Sequence, residues 1–350
     1  MDPDLSFLIV RPVRADDIDQ LYELSGKVTL GLTTLPHDRA VLQKRIKDSV
    51  RSFTEIPDKP GGEVYLLVME DLRTKTLVGT SALYGKVGGY LPFYTYKIHT
   101  VTKESRKLNV KMDIQYLQLI EDHNGPSELG TLFLTPEYRK NGNGRLLSLC
   151  RFLFVAQFRS CFENTILAEM RGVFDESGHS PFWEALGRHF FVVEFEKADL
   201  MVMQDKSFIA ELMPKHPIYI PLLTHSAQEV IGKVHKDTEG AKYLLETEGL
   251  RFNGEIDIFE AGPVLSGPVD NVRTVKDSRT AVVSGITATP QESPVYMLAN
   301  VSNFQDFRVC RSTLRTTAEG QVEIPKVAAE ALNLKPGSPV RYITLKAAAS

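Results

Sequence analysis

Leu132-Phe133-Leu134-Thr135-Pro136-Glu137-Tyr138-Arg139-Lys140-Asn141-Gly142-Asn143-Gly144 is the stretch on which the fold turns. A short apolar strand stops at Thr135 and Pro136, an RxxGxG turn follows, and a strongly apolar helix from Arg145 to Phe158 continues from it. Glycines at 142 and 144 permit unusual backbone angles and let amide N–H groups approach an anion closely. The helix adds its positive end, and Arg139 and Lys140 add charge. The chemistry such a turn suits is phosphate binding. By itself a Gly-rich turn before a helix is more often only a turn. A dinucleotide-binding motif would need a third glycine that this sequence lacks, and a P-loop would need a Gly-Lys-Ser/Thr that does not follow.

Outward from that turn the chain alternates strands and helices. Leu8 to Val13 reads as a strand, followed by a helix opened by Ala15, Asp16 and Asp17 and carrying Ile18, Leu21, Tyr22 and Leu24 at helical spacing. GLTTLP (Gly31 to Pro36) is loop-like, and Asp38 to Phe53 is a second amphipathic helix. Val64 to Glu70 and Thr76 to Leu83 form a hairpin, Phe93 to Thr102 and Met112 to Ile120 a further strand pair, and Ile166 to Met170 another strand. Ser180 to Leu186 is predicted as a short helix stopped by Gly187, with a strand from Phe190 to Phe195. That helix, Gly stop and strand recur weakly at Tyr243 to Phe259, which suggests a degenerate duplication. Gly262 to Pro294 reads as a linker or long excursion, and Gly320 to Leu345 as two short strands around a helix.

Composition narrows the classes of function. With 350 residues, 43% of them apolar, the chain is expected to be globular, and a net charge of -3 supplies no global field for nucleic acid or anionic membrane. Three cysteines without CxxC spacing argue against a disulfide framework or a zinc cage. The acidic start and the absence of a long apolar run predict a soluble, cytoplasmic protein.

The RxxGxG turn in its context resembles the GNAT superfamily of acyl-CoA N-acyltransferases. More specifically, GLTTLP, SEL-x-TLFL (Ser127 to Leu134), AEMRGVFDESGHSPFW (Ala168 to Trp183), FIAELMPKHPIY (Phe208 to Tyr219) and VIGKVH (Val230 to His235) resemble the arginine N-succinyltransferase family over about Leu8 to Pro263. One departure is Gly130, where many relatives have Cys. The resemblance implies a mixed α/β (α+β) fold of GNAT type, with a GNAT-like domain at 1–200, a degenerate second lobe at 201–265 and a linker plus β-rich extension at 266–350. It implies succinyl-CoA as co-substrate and no permanently bound cofactor or metal. The acceptor would be the α-amino group of L-arginine, and the assembly a homo-oligomer or a heterodimer of paired subunits, without membrane or nucleic acid.

The same resemblance places the coenzyme on Leu132, Phe133, Leu134, Arg139, Lys140, Asn141, Gly142, Asn143 and Gly144, and makes His235 the proton donor to the departing sulfur. Backbone N–H groups near Leu132 are expected to stabilise the thioester oxygen. Recognising arginine requires carboxylates for a guanidinium and a cation or N–H pair for a carboxylate, for which Glu169, Arg171, Asp175 and Glu211 are candidates; their ordinary alternative is a surface ion pair. His216 is left open between a loop-fixing donor and a substrate contact. His37, His99, His123, His189 and His225 read as surface or core residues, His179 as structural, and the single Trp183 as core. Two alternatives are kept: an acyltransferase for ornithine or another amine, and a regulator, because Gly320 to Leu345 faintly resembles the AbrB-type DNA-binding element although it lacks a dense cationic face.

Overall fold

A computed structural model describes residues 7–28, 32–202, 205–288 and 294–345. The expectations that fall on 1–6, Gly31 and 289–293 lie outside the described residues. The amino-terminal half runs through β1 (Leu8–Pro12), α1 (Ile18–Ser25), α2 (Arg39–Thr54), β2 (Val64–Asp71), β3 (Thr76–Tyr84), β4 (Phe93–Ser105), β5 (Val110–Asp122), β6 (Ser127–Leu134), α3 (Asn143–Gln157) and β7 (Thr165–Glu169). Most begin within about three residues of where the sequence places them, but β6 starts at Ser127, ahead of the Leu132 expected. Asp38 caps α2 by accepting hydrogen bonds from the amides of Ala40 and Val41.

The rest continues with α4 (Arg188–Phe191), α5 (Phe195–Val202), α6 (Ser207–Leu212), β8 (Ile218–Tyr219), α7 (His225–Val230), α8 (Glu239–Glu248), β9 (Arg251–Ile256), β10 (Pro263–Pro268) and α9 (Arg273–Asp277). The last part holds β11 (Arg279–Thr287), β12 (Tyr296–Asn300), β13 (Arg308–Ser312), β14 (Arg315–Thr316), β15 (Val322–Pro325), α10 (Lys326–Leu332) and β16 (Pro339–Thr344). All strands join one mixed sheet in the order β14-β15-β11-β16-β12-β13-β1-β2-β3-β6-β7-β10-β9-β4-β5-β8. β3, β6 and β7 lie just past its middle, and the last part of the chain joins it where β13 pairs antiparallel with β1.

α3 is the hub of the main core. Leu146, Leu147, Leu149, Phe152 and Leu153, the stripe expected to be core, are all buried, and each such side chain contributes roughly 1.5–3 kcal/mol relative to exposure. The helix packs on β3 and β6 and is flanked by α8 and α9. Trp183 is likewise buried, in a second aromatic core with Phe191, Phe195 and Phe259.

Two expectations fail for identifiable reasons. Phe190 to Phe195 is not a strand: the helical run passes straight through Gly187, ends at Val192 with a left-handed φ of 56°, and resumes as α5. Gly187 is small because a Cβ there would lie 2.3 Å from the Trp183 ring, not because a helix stops. The proposed repeat therefore lacks its strand in the first copy, whereas in the second Gly249, at φ 109°, does end α8 before β9. The stretch expected to be a linker carries β10, α9 and β11, and β10 pairs along all of β7.

Candidate active site

β6 and β7 run parallel but are paired only at Ser127 with Ile166 and Glu128 with Leu167. Beyond Glu128 the two strands part. The cause sits in β6: Thr131 has a left-handed φ of 53°, and the ladder to β3 slips between Thr80 and Ala82. A network behind the bulge fixes it, with Arg45 donating to the Thr131 hydroxyl at 3.0 Å and to the Tyr84 hydroxyl, and Thr80 Oγ1 donating to the Thr131 carbonyl at 2.9 Å. Because a trans peptide points its C=O and N–H in opposite directions, the Leu132 N–H faces away from β3, into the opening. Gly130 fits the same geometry, since the Tyr84 ring stands 2.9 Å from where its Cβ would be.

A cavity of about 670 Å³ fills that opening, lined by Leu129 to Leu134, the turn Arg139 to Arg145, Ala168 to Arg171 and the first half of α8. In the turn, Asn141 and Gly142 have left-handed φ values of 53° and 77°. Consecutive residues of this kind turn successive N–H groups to one side. The amides of Asn141, Gly142, Gly144 and Arg145 have no hydrogen-bond partner among the described residues, and the positive end of α3 lies directly behind them. The Asn141 carbonyl is held from the other side by Arg311 Nη1, a residue of β13, so the last part of the chain braces the turn.

His235 stands at the rim. Its N–H donates to the Arg171 carbonyl at 2.9 Å, its side chain is mostly buried, and its Nδ1 accepts from the Asp237 N–H at 3.2 Å, which leaves Nε2 for other partners. Burial and the nearby Arg171 guanidinium push the imidazole below its ordinary value.

Beside Arg171 lies a group of carboxyls. Burial raises Glu169 well above the ordinary carboxylate range, reinforced by Asp257 and Glu128 and opposed by Lys206. Burial also raises Glu260, reinforced by Asp257, and takes Asp199 up to about 7. Glu260 Oε1 accepts from the Gly172 N–H at 2.8 Å, while Oε2 is buried without a partner among the described residues. Glu128, Glu169, Asp199, Asp257 and Glu260 outnumber the cations that act on them, Arg45, Arg171 and Lys206.

Relatives of known name share this architecture. The model of the arginine N-succinyltransferase beta subunit matches residues 8–274, and that of its C-terminal domain matches 279–344. Arginine N-succinyltransferase of Yersinia pestis (strain Pestoides F) is 43% identical over 343 residues, 96% of this chain and 97% of its own length. Its namesake from Escherichia coli O6:K15:H31 is 42% identical, covering 97% and 98%. The arginine/ornithine succinyltransferase subunit AI from Pseudomonas aeruginosa superposes with a TM-score of 0.88 at 31% identity, covering 97% of this chain and 99% of that one. The chain belongs to the arginine N-succinyltransferase family. It is an acyltransferase with a GNAT-type fold, and no helix among the described residues is long and apolar enough to cross a membrane. The family match supports the acyltransferase reading over a DNA-binding regulator, and the segment that prompted the latter is built into the sheet as β15, α10 and β16.

Within this family member, Leu132, Phe133, Leu134, Arg139, Lys140, Asn141, Gly142, Asn143 and Gly144 all line one cavity together with Glu169 and Arg171, and His235 adjoins it. Asp175, Glu211 and His216 are not brought there. Asp175 is exposed and spends a carboxylate oxygen on the amides of Ser177 and His179 in its own loop, Glu211 is exposed on α6, and His216 is exposed in the segment before β8. Sequence reading missed Glu128, Asp199, Asp257 and Glu260. They come from three separate places, β6, α5 and the turn after β9, and the pairing of β7 with β10 brings the 257–260 turn beside Glu169. The one local sign was Glu128, which lies in the same matched string as Leu132.

Proposed function

We propose that the enzyme transfers a succinyl group from succinyl-CoA to the α-amino group of L-arginine, in the cytoplasm. The observation that carries this reading is a single cavity that has a set of unpaired amides in its wall and also Glu169 and Arg171, the two lining residues around which the further carboxyls gather. Diphosphate oxygens accept from the amides of Asn141, Gly142, Gly144 and Arg145, with Arg139 and Lys140 alongside, and the pantetheine arm lies against the free edge of β6. The guanidinium goes to Glu260 and Asp257, and the reacting ammonium to Glu169. Arg171 takes the α-carboxylate.

The chemistry then follows the arrangement. The cationic acceptor first drives the proton off Glu169, and the carboxylate so formed takes a proton from the ammonium, whose nitrogen then attacks the thioester carbon. The carbonyl π pair moves to oxygen, which meets the Leu132 N–H, a kind of donor worth roughly 10²–10³ in rate. When that pair returns, the C–S bond breaks; sulfur takes a proton from Nε2 of the His235 imidazolium, whose Nδ1–H faces the Asp237 carboxylate at 3.6 Å, and the new amide nitrogen releases its second proton to water. An α-carboxylate on Arg171 cancels the positive charge that depresses His235, so acceptor binding itself makes the imidazole easier to protonate.

The test pairs succinyl-CoA and acetyl-CoA with arginine and ornithine and follows release of free thiol. Fastest turnover with succinyl-CoA and arginine is expected. Preference for ornithine would favour the second reading, which the name of the Pseudomonas relative keeps in view, and thiol release with neither amine would overturn both.

A further inference from the structure

Arg151 sits in the middle of α3, 2% exposed, and lines the cavity beside Leu129, Gly130 and Ala168. Among the described residues it has no ion pair. Its Nε donates to the Ser148 carbonyl at 2.8 Å, Nη2 to Ser148 Oγ at 3.0 Å, and Nη1 to the Gly130 carbonyl at a long 3.4 Å. A guanidinium carries five N–H donors, so part of its capacity is unused. The contrast with Arg11 is sharp: that side chain is equally buried but pairs with Asp17 at 2.8 Å and also with Glu70.

A buried cation without a counter-ion is costly and is retained where something compensates it. Burial pushes Arg151 down to about 10, which still leaves it charged at neutral pH. Its location says which anion it meets. From the phosphate turn at the start of α3 to Arg151 is roughly two helical turns, about 12 Å along the axis. The coenzyme's own phosphates therefore stay with the turn, and what arrives at this depth beside Gly130 is the far end of the pantetheine arm and its acyl group. Apolar side chains surround the rest of that end, namely Leu129, Ala168, Leu244 and Leu245.

We infer that Arg151 receives the terminal carboxylate of a dicarboxylic acyl group and so sets the enzyme's preference for succinyl-CoA over an uncharged acyl-CoA of equal length. The inference rests on the coenzyme seat proposed above. Two N–H groups of one guanidinium match two carboxylate oxygens, which a lysine or an amide in the same place cannot reproduce.

The test measures dissociation constants of the unreactive dethia analogues of succinyl-CoA and butyryl-CoA by calorimetry, on the full chain and on Arg151→Met, with folding checked by circular dichroism and Tm. The wild type should bind the succinyl analogue more tightly by about 30-fold or more, and Arg151→Met should lose that ratio. If the wild type binds both analogues equally, or if Arg151→Met keeps the ratio, Arg151 does not read the carboxylate, while the coenzyme seat stands. A wild type that binds neither analogue sinks the seat and the inference with it. A merely structural role would weaken both analogues alike and leave the ratio intact. Should Arg151→Met not fold, Arg151→Gln and Arg151→Lys serve instead, with the ratio falling most in the glutamine variant; an unchanged ratio in both overturns the inference.

Discussion

The two ends of the cavity are built by opposite rules. Where we propose the coenzyme sits, the free groups are backbone amides on one continuous stretch, Leu132 to Arg145, and the side chains matter chiefly for letting the backbone bend: Gly142 at φ 77°, Asn141 at 53°, Thr131 at 53°. Around Glu169, where we propose the amine binds, the groups are side chains from β6, β7, α5 and the turn after β9, and their property is not geometry but a shortage of positive charge. A site made of backbone is local in sequence. A site made of buried charge is local only in space.

The largest effect expected from disturbing this division lies between the ends, at His235. Replacing it with alanine should lower kcat by about 10²–10⁴, the usual worth of a positioned proton donor, with the dissociation constants of both substrates changed no more than a few-fold. Pre-steady-state mixing against equilibrium binding separates the two. An unchanged kcat in a folded His235→Ala protein removes His235 from the chemistry and leaves both ends of the cavity as described.

Next in size is a paired test of the amine end. Glu169→Gln should reduce kcat/KM for arginine by about 10²-fold while the KM for succinyl-CoA stays within a few-fold, because the carboxyl meets only the acceptor. Glu211→Gln, on the exposed face of α6, should change neither. Initial-rate kinetics with each substrate varied in turn checks both, and equal losses on the two substrates from Glu169→Gln would mean that the ends are not separable.

That pairing also marks how far the sequence could be read. The RxxGxG turn, α3 with its buried stripe and the strands from β1 to β7 were legible because each depends on neighbours within a few residues: a glycine, a proline, an apolar period. Glu169 and Glu211 look alike in the chain, both acidic and both in matched strings, yet one is enclosed by Asp257 and Glu260 from across β10 and the other faces solvent. Gly187 misled for the same reason. Its neighbour in sequence predicts a helix stop, but its neighbour in space is the Trp183 ring. Arg151 lies in the same buried helix as the apolar stripe, and nothing within a few residues of it in the chain shows the cavity between β6 and β7 that it lines.

The smallest effect concerns stability and its sign. Asp199 has a folded-state value of about 7 against an ordinary 3.8, raised by burial first and then by Asp257 and Glu196. Between those two values the folded protein holds a proton that the unfolded chain has released. Stability therefore falls as pH rises from about 4 to about 7, and the loss is complete above that window. Glu169 and Glu260, shifted in the same direction, steepen the fall. Asp199→Asn removes one such group at nearly constant shape, so its Tm should match the wild type near pH 4 and exceed it by about 1–3 °C at pH 8. L-Arginine at pH 8 should raise the wild-type Tm as well, because its charge offsets the same repulsion. Scanning calorimetry across pH reads both effects, and a Tm gap that is constant with pH, or that reverses at pH 8, would show that the carboxyls beside Arg171 do not strain the fold in the absence of a cation.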